Sequence, residues 1–371
     1  MKAAILQKIG LPRPYIESRP LLIDEVRIGS PGPGELVVQI KAAGLCHSDL
    51  SVINGDRLRP TPMVLGHEAA GRVVECAPDV SDLKPGDHVV MTFVPSCGSC
   101  LPCMEGRPAL CEPAAKTNTA GTLLSGARRI FHGEKEVNHH MGVSAFAEYA
   151  VISRRSVVRV DDSLASAVAA LFGCAVLTGV GAVVNTAKVP AGSSVAIVGL
   201  GGVGLNSLLA ARLIGARKIV AIDLIPEKLK LAKELGASDA VLVSASAADD
   251  VRDLTSGGVD FAFEMAGSIP ALELAYKITK RGGTTVTAGL PHPDKSISIP
   301  PVHLVGEERT LKGSYIGSSV PARDIPRYIS LFQQGFLPID KLMSRKLKLA
   351  DINEGFDRLA DGHVVRQVVE F

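Results

Sequence analysis

The sequence has little excess charge of either sign. Its 40 lysine and arginine residues nearly balance 38 aspartate and glutamate residues, which leaves a formal net charge of +2. A protein that binds nucleic acid or an acidic membrane surface usually carries a clear positive excess. The composition therefore argues against both partners. With 46% hydrophobic and 21% charged residues, the chain has the composition of a globular enzyme.

No secretory signal is visible in the first residues. The first ten residues, MKAAILQKIG, contain no long apolar core followed by a small-residue cleavage site, so we expect a cytoplasmic protein. The odd number of cysteines, seven, fits that reducing compartment better than a disulfide framework. No internal repeat or low-complexity segment is present.

One apolar segment has the length of a membrane span. Residues 164–187 carry no charge and are long enough to cross a bilayer. They are mainly alanine, glycine and valine, and Asp161 and Asp162 stand upstream where a basic flank would be expected. We therefore predict buried, close-packed helices and no membrane partner.

The chain shows two kinds of pattern. Its 371 residues exceed the usual size of one domain, so we expect two. Up to about residue 175, short extended runs alternate with Pro-Gly turns, which predicts a β-rich region. Strand and helix patterns then alternate through six strands, including a helix with Pro226 near its start and Gly236 near its end. This order predicts an α/β fold with a doubly wound parallel sheet.

A glycine-rich turn, GLGGVG, follows the first of these six strands. Gly199 permits the tight turn, Gly201 lets a pyrophosphate approach the backbone, and Gly204 brings the next helix close to the sheet. Asp223 ends the following strand, where a carboxylate binds ribose hydroxyls and repels a 2′-phosphate. These features favour a turn that binds a dinucleotide over a turn without a ligand, and they favour NAD over NADP. The predicted contacts of the turn are Gly199, Gly201, Gly202, Val203 and Gly204.

Four cysteines lie in one short segment, CGSCLPCMEGRPALC. Cys97, Cys100, Cys103 and Cys111 have a spacing that suits a tetrahedral zinc closed by four thiolates. Bacterial ferredoxins share the first two spacings, but their fourth cysteine follows three residues later and precedes proline. A structural zinc is therefore favoured over an iron–sulfur cluster or a nucleic-acid zinc finger. A zinc saturated by protein ligands cannot activate a substrate.

The other three cysteines raise the question of a second metal site. Cys46 and Cys174, together with His67, would leave one of four zinc positions open, which is the catalytic pattern. Cys76 lies in the strand-like segment GRVVECAP, and we predict that it fills the core.

Together these motifs resemble the zinc-dependent alcohol dehydrogenases of the medium-chain dehydrogenase/reductase superfamily. The resemblance covers nearly the whole chain and includes the GHE box at Gly66, His67 and Glu68 and the closing segment INEGFDRLADGHVVRQVVEF. It implies a Rossmann coenzyme domain at 177–318 and a β-rich, GroES-like catalytic domain at 1–176 and 319–371, with the zinc lobe near 95–113. It also implies a homodimer or homotetramer joined near the segment GSYIG.

The resemblance also implies roles for individual residues. Cys46, His67 and Cys174 would hold a catalytic zinc, and the cysteine lobe a second, structural zinc. Asp49 would orient His67 through a hydrogen bond, and Glu68 would lie behind the metal. The other implied roles are proton transfer for Ser48, pyrophosphate binding for His47 and Arg366, adenosine binding for Lys228, and substrate contact for Phe93 and Met141.

The implied activity is reversible hydride transfer between a primary alcohol and NAD. Ser48, smaller than the threonine of some members, favours a medium to large alcohol, with allylic and aromatic alcohols as candidates. Ser51 replaces a relay histidine of many members, and serine cannot act as a base near neutral pH. One alternative is a glutathione-dependent formaldehyde dehydrogenase, for which Asp56, but also Arg57 and Arg59, would line the pocket mouth. Another is an NAD-binding structural protein without activity.

Overall fold

A computed structural model describes residues 1–371. In chain order, the strands are β1 Lys2–Leu6, β2 Leu21–Glu25, β3 Arg27–Ile28, β4 Glu35–Leu45, β5 Met63–Val64, β6 Ala69–Cys76, β7 His88–Met91, β8 Ile130–His132, β9 Lys135–His139, β10 Tyr149–Ser153, β11 Val157–Arg159, β12 Ser194–Val198, β13 Lys218–Asp223, β14 Asp239–Leu242, β15 Val259–Glu264, β16 Thr279–Thr287, β17 Thr310–Gly313, β18 Met343–Leu347 and β19 Arg366–Glu370.

The α-helices are α1 Tyr15–Ser18, α2 His47–Ile53, α3 Leu101–Met104, α4 Glu112–Ala120, α5 Ser166–Leu171, α6 Leu177–Gly181, α7 Gly202–Leu213, α8 Pro226–Leu235, α9 Ala247–Thr255, α10 Ile269–Ile278, α11 Pro301–Gly306, α12 Pro321–Gln333 and α13 Ile352–Ala360. Two π-helical segments, Phe172–Val176 and Ala182–Ala187, follow α5 and α6.

The chain forms two compact units. The first contains Met1–Cys174, Val320–Ile329 and Met343–Phe371, and the second contains Ala175–Ser319 and Ser330–Leu342. We expected 1–176 and 319–371 in one domain and 177–318 in the other. The structure differs in that Ser330–Leu342 belongs to the second unit.

The first unit consists mainly of antiparallel sheet, so its predicted β-rich character is confirmed. One sheet has the strand order β2-β1-β5-β9-β8-β3, and the other has β11-β7-β6-β4-β19-β18, with β10 also paired to β4. β19 runs antiparallel to β4 with Gln367 opposite Leu45. The end of the chain therefore supports the strand that leads to Cys46.

Cys76 corrects one expectation about this unit. We predicted it to fill the core, but it is only half buried because it is the last residue of β6. Its Sγ lies 3.6 Å from the carbonyl oxygen of Leu83.

The second unit contains the predicted parallel sheet of six strands, in the order β14-β13-β12-β15-β16-β17. The order reverses direction between β12 and β15, which is the doubly wound arrangement. Every residue of β12 is buried, as expected for a central strand with helices on both faces. α8 begins at Pro226, and Gly236 ends it with φ 112°. The predicted start and end of this helix are therefore confirmed.

The uncharged segment forms a continuous helix, Ser166–Ala187, and 94% of its most apolar window is buried inside the protein. By length and composition this 22-residue helix could cross a bilayer, but its burial is that of a core helix. Its small residues allow close packing, because a Cβ on Gly179 would lie 2.3 Å from the carbonyl oxygen of Val203 in α7.

We expect Gly179→Ala to lower the free energy of unfolding by about 1–3 kcal/mol, because the added methyl would overpack the contact between α6 and α7. Urea unfolding measures this change. Gly306→Ala is the matched control, since a Cβ there meets nothing within 4 Å. Equal stability of Gly179→Ala and the parent protein would contradict this account of the helix contact.

Candidate active site and metal centres

Three separate elements supply the candidate ligands of the first metal site. Cys46 follows β4 with extended backbone (φ −130°, ψ 153°) and precedes α2. His67 follows Gly66, whose φ of +93° only glycine adopts easily, and a Cβ there would lie 2.6 Å from the backbone nitrogen of Phe146. Cys174 lies in the π-helical segment Phe172–Val176, a local widening that is often found at functional sites.

The structure brings these three side chains together in the first unit. The ligand atoms of Cys46, His67 and Cys174 lie within 4.8 Å of one another, and all three residues are buried. Gly173 lets Cys174 approach, since a Cβ on it would lie 2.2 Å from the carbonyl oxygen of Met91.

Buried charges surround this cluster. A hydrogen bond from Cys174 lowers the pKa of the Cys46 thiol far below its usual value. Burial opposes this effect, and the positive charges of His67 and Arg366 add to it. Burial alone would lower the pKa of His67, but the Asp49 carboxylate and the Cys46 thiolate raise it to about 10. The cluster thus concentrates negative charge that a cation can neutralise.

The donor set fits a zinc ion with one open position. The Nε2 atom of His67 is buried and has no hydrogen-bond partner, and a buried polar atom of this kind usually has one. Two thiolates and one imidazole are ligands that zinc prefers, and three protein ligands leave room for a substrate oxygen.

Asp49 orients His67 from the side opposite the ligand atom. Its carboxylate is 3.1 Å from Nδ1 of His67 and accepts a hydrogen bond of 3.1 Å from the backbone N–H of Gly66. Although burial opposes ionisation, the positive charge of His67 keeps the pKa of Asp49 well below its usual value. The carboxylate therefore holds the Nδ1–H of His67, so that Nε2 is the nitrogen available to a metal once its proton is displaced.

The cysteine lobe forms a second cluster. The sulfur atoms of Cys97, Cys100, Cys103 and Cys111 lie within 4.8 Å of one another. The Sγ atoms of Cys97 and Cys103 are 4.0 Å apart, close to the edge of about 3.8 Å of a tetrahedron with Zn–S bonds of about 2.3 Å. Despite partial burial, backbone N–H groups of Ser99 and Cys100 lower the pKa of Cys97 to about 6. All four ligand positions are filled by protein.

The predicted proton-transfer residue Ser48 and the predicted substrate contact Phe93 also lie near Cys46 and His67. The Oγ of Ser48 is 3.9 Å from the Sγ of Cys46. The Phe93 ring meets the His67 ring edge-on at 5.3 Å between centroids, which places an apolar surface beside the cluster. Met141 is half buried with φ 50°. Ser51 donates its hydroxyl hydrogen to the carbonyl oxygen of His47 at 2.8 Å, so it does not extend the relay as a donor.

Glu68 forms a buried ion pair with Arg366. Their relative exposures are 0% and 4%, and the Oε1 of Glu68 accepts a hydrogen bond from the guanidinium. Arg366, predicted at the pyrophosphate, is thus already paired inside the first unit. His47, the other predicted pyrophosphate contact, is exposed at the start of α2.

The glycine turn in the second unit leaves space for a phosphate. Gly199 has φ 93° and Gly204 packs against its carbonyl, whereas a Cβ on Gly201 would meet nothing within 4 Å. Gly201 caps α7 without a side-chain hydrogen bond. The first N–H groups of this helix, Gly202 and Val203 included, are therefore not capped by a side chain and suit an anion.

Asp223 lies at the carboxyl end of β13, next to this turn. Its two oxygens accept hydrogen bonds from the backbone N–H groups of Leu200 at 2.6 Å and Ile225 at 3.0 Å. Each carboxylate oxygen can accept a further hydrogen bond. Lys228 is partly buried nearby, where burial lowers its pKa and Asp223 opposes that effect.

Sequence reasoning missed His140. This residue is fully buried, and its Nδ1 lies 3.1 Å from Asp49. Burial lowers the pKa of His140, which keeps the ring neutral. The histidine doublet in NHHMG was the available signal, but a sequence does not show which way such a side chain points.

The chain matches two family descriptions and many known proteins. Residues 32–162 match the alcohol dehydrogenase GroES-like domain, and residues 202–334 match the zinc-binding dehydrogenase family. An NDMA-dependent alcohol dehydrogenase of Amycolatopsis methanolica is 37% identical over 99% of this chain and 98% of its own length. An alcohol dehydrogenase class-3 of Drosophila melanogaster is 35% identical over 95% of both.

Two crystal structures share the fold over the full length. An alcohol dehydrogenase zinc-binding domain protein from Burkholderia ambifaria has a TM-score of 0.93 and 32% identity, covering 100% of this chain and 98% of the other. The benzyl alcohol dehydrogenase of Acinetobacter calcoaceticus has a TM-score of 0.92 and 30% identity, with coverages of 100% and 99%.

The buried ion pair generates a stability prediction. Arg366→Leu leaves the Glu68 carboxylate buried without its counter-ion, so we expect the free energy of unfolding to fall by about 3–5 kcal/mol. The double variant Glu68→Leu/Arg366→Leu removes both charges. Its loss in the free energy of unfolding should be smaller than the sum of the losses of the two single variants. Chemical unfolding of all four proteins measures this coupling, and strictly additive losses would contradict it.

Proposed function

Because the chain belongs to the zinc-dependent alcohol dehydrogenases of the medium-chain dehydrogenase/reductase superfamily, we propose that it transfers hydride reversibly between a primary alcohol and NAD. The observation that carries this proposal is the buried Cys46, His67 and Cys174 cluster, with Phe93 against the ring of His67. A structural protein on the same fold would have no need of a metal set that leaves one position open.

We propose two zinc ions per chain, one at this cluster and one in the cysteine lobe. When bound, the catalytic zinc would favour loss of the alcohol proton as a Lewis acid, and NAD would accept the hydride. Cys46, His67 and Cys174 would hold the metal, and Asp49 would keep His67 in the tautomer that ligates. Ser48 would take the proton from the alcohol. Since Ser51 offers no base, we propose that water receives that proton.

The coenzyme proposal rests on the second unit. The uncapped start of α7 and the open space at Gly201 suit a pyrophosphate. Asp223 would accept hydrogen bonds from a ribose diol, and its charge disfavours a 2′-phosphate at the same place. Lys228 would lie beside the adenosine, and the exposed His47 would supply positive charge to the pyrophosphate. Arg366, the other residue expected there, is instead occupied by its buried ion pair with Glu68.

We propose a medium to large primary alcohol, with aromatic alcohols foremost, as substrate. Phe93 supplies an apolar aromatic wall beside His67, and one structural neighbour is a benzyl alcohol dehydrogenase. Aromatic surfaces of this kind bind apolar groups by burial and ring contact.

We propose a cytoplasmic homodimer, with a homotetramer as the larger alternative. β17 is an edge strand whose four residues are all exposed, and such an edge can pair with the same strand of a second copy. Nearby in the chain, α11 exposes Val302 at 68% and Val305 at 82%, an apolar surface that a second copy would cover. The free cysteines suit a reducing compartment.

A substrate panel tests the activity directly. We expect purified protein to oxidise benzyl and cinnamyl alcohol with NAD faster than ethanol, and NADP to be the poorer coenzyme. Each reaction is followed with and without NDMA, because one relative is described as NDMA-dependent. Formaldehyde with glutathione forms a separate arm. A preference for that arm would replace the proposed substrate class, and inactivity in every arm would contradict the enzyme proposal.

Changing Asp223 tests coenzyme choice. Asp223→Gly removes the acceptor for the ribose hydroxyls, so we expect it to weaken NAD binding by about 1–3 kcal/mol. It also removes the charge that repels a 2′-phosphate. The NADP/NAD ratio of kcat/KM should therefore rise by about tenfold or more. Asp223→Asn is the matched variant that removes only the charge and should raise the ratio less. An unchanged ratio in both variants would show that Asp223 does not face the ribose.

A further inference from the structure

Asp49 faces a second buried histidine besides His67. His140 has 0% relative exposure, and its Nδ1 lies 3.1 Å from Oδ1 of Asp49. We propose that His140 is a positioning residue for the metal site, which pairs its Nδ1–H with Asp49 and so fixes the orientation in which that carboxylate holds His67. This inference rests on the proposed zinc at Cys46, His67 and Cys174.

The first argument is the accounting of buried polar atoms. Neither ring nitrogen of His140 has an aligned hydrogen-bond partner, and neither has Oδ2 of Asp49. A neutral imidazole carries one N–H, and a buried donor left unpaired is destabilising. Because the Asp49 carboxylate is the acceptor within reach, 3.1 Å from Nδ1, the N–H is best placed on that nitrogen, where it can pair with the carboxylate.

The second argument is that the Asp49 carboxylate could rotate more freely if His140 did not contact it. The two identified donors to Asp49 are the N–H of Gly66, which lies 3.1 Å from Oδ1, and Nδ1 of His67, which lies 3.1 Å from both carboxylate oxygens. The torsion that turns a carboxylate has only a broad intrinsic preference. A further donor from His140 restricts that torsion. The His140 ring also meets the His67 ring edge-on, at 5.6 Å between centroids and 84° between planes.

The third argument is that the backbone around His140 is itself held firmly. Its N–H donates to the Oγ of Ser144 at 2.9 Å. Met141 and Ser144 have left-handed backbone, with φ 50° and 56°. Such non-glycine conformations are strained and persist where the surrounding structure imposes them, often at functional sites.

The neighbouring histidine provides a matched control. His139 is also fully buried, but its Nε2 accepts a hydrogen bond from the backbone N–H of Arg129 at 3.0 Å. The His139 ring is thus engaged with the backbone of Arg129, and not with Asp49. A change at His139 therefore perturbs a buried imidazole of the same chain segment without touching the metal site.

The test compares His140→Leu, His140→Asn and His139→Asn in the full-length protein. Asparagine keeps an N–H donor near the Nδ1 position, whereas leucine removes it. Zinc affinity is measured on the apo proteins by competition with a chromophoric chelator, and visible spectra are recorded with Co²⁺ at the catalytic site. The zinc of the cysteine lobe reports folding in the same molecule.

We expect His140→Leu to weaken zinc binding at the catalytic site by about 10- to 100-fold, to shift the Co²⁺ bands, and to leave the lobe zinc unchanged. His140→Asn and His139→Asn should stay close to the parent protein. Parent-like affinity and Co²⁺ spectrum in His140→Leu would overturn the inference, as would equal losses in His140→Leu and His140→Asn. A parent protein that binds only the lobe zinc would instead overturn the proposed catalytic site itself.

Discussion

The geometry of the site depends on one ionised carboxylate kept out of water. Asp49 has 0% relative exposure, and burying an unpaired charge is very unfavourable. It is tolerated here because the backbone N–H of Gly66 and the ring of His67 both contact it. The same contacts keep the carboxylate charged and tie α2 to the turn at Gly66 and to His67.

A second constraint follows from the sum of the buried charges. Two cysteines, Asp49 and Glu68 place negative charge in the interior of the first unit. Arg366 neutralises Glu68 directly. His67 and the proposed zinc would neutralise the rest, so a cation at Cys46, His67 and Cys174 would contribute to the electrostatic balance of the fold.

The sequence predicted those features that depend on local pattern. The six-stranded sheet follows from strand and helix periods, and α8 from Pro226 and Gly236, because these signals act over a few residues. The cysteine lobe follows from spacing alone. The site was harder to predict because its members are far apart in the chain. Glu68 and Arg366 are separated by 298 positions, and the pairing of both β6 and β19 with β4 brings them together.

His140 and Cys174 show a different limit. The direction of a histidine side chain depends on the strand register and on the left-handed turn after it, which has no strong sequence signal at Met141 or Ser144. At the π-helical widening beside Cys174, Gly173 closely approaches the carbonyl oxygen of Met91, a tertiary contact that helix propensity does not reveal. Cys174 alone would more often be a core cysteine; its combination with Cys46 and His67, and the resemblance to a family, identified it as a ligand.

Diffraction from crystals of the purified protein, recorded on both sides of the zinc absorption edge, tests the central claim most directly. We predict two anomalous peaks per chain, one inside the cysteine lobe and one bonded to the Sγ atoms of Cys46 and Cys174 and to Nε2 of His67. A single peak in the lobe, or a second metal held by Asp49 and His140 instead, would contradict the account.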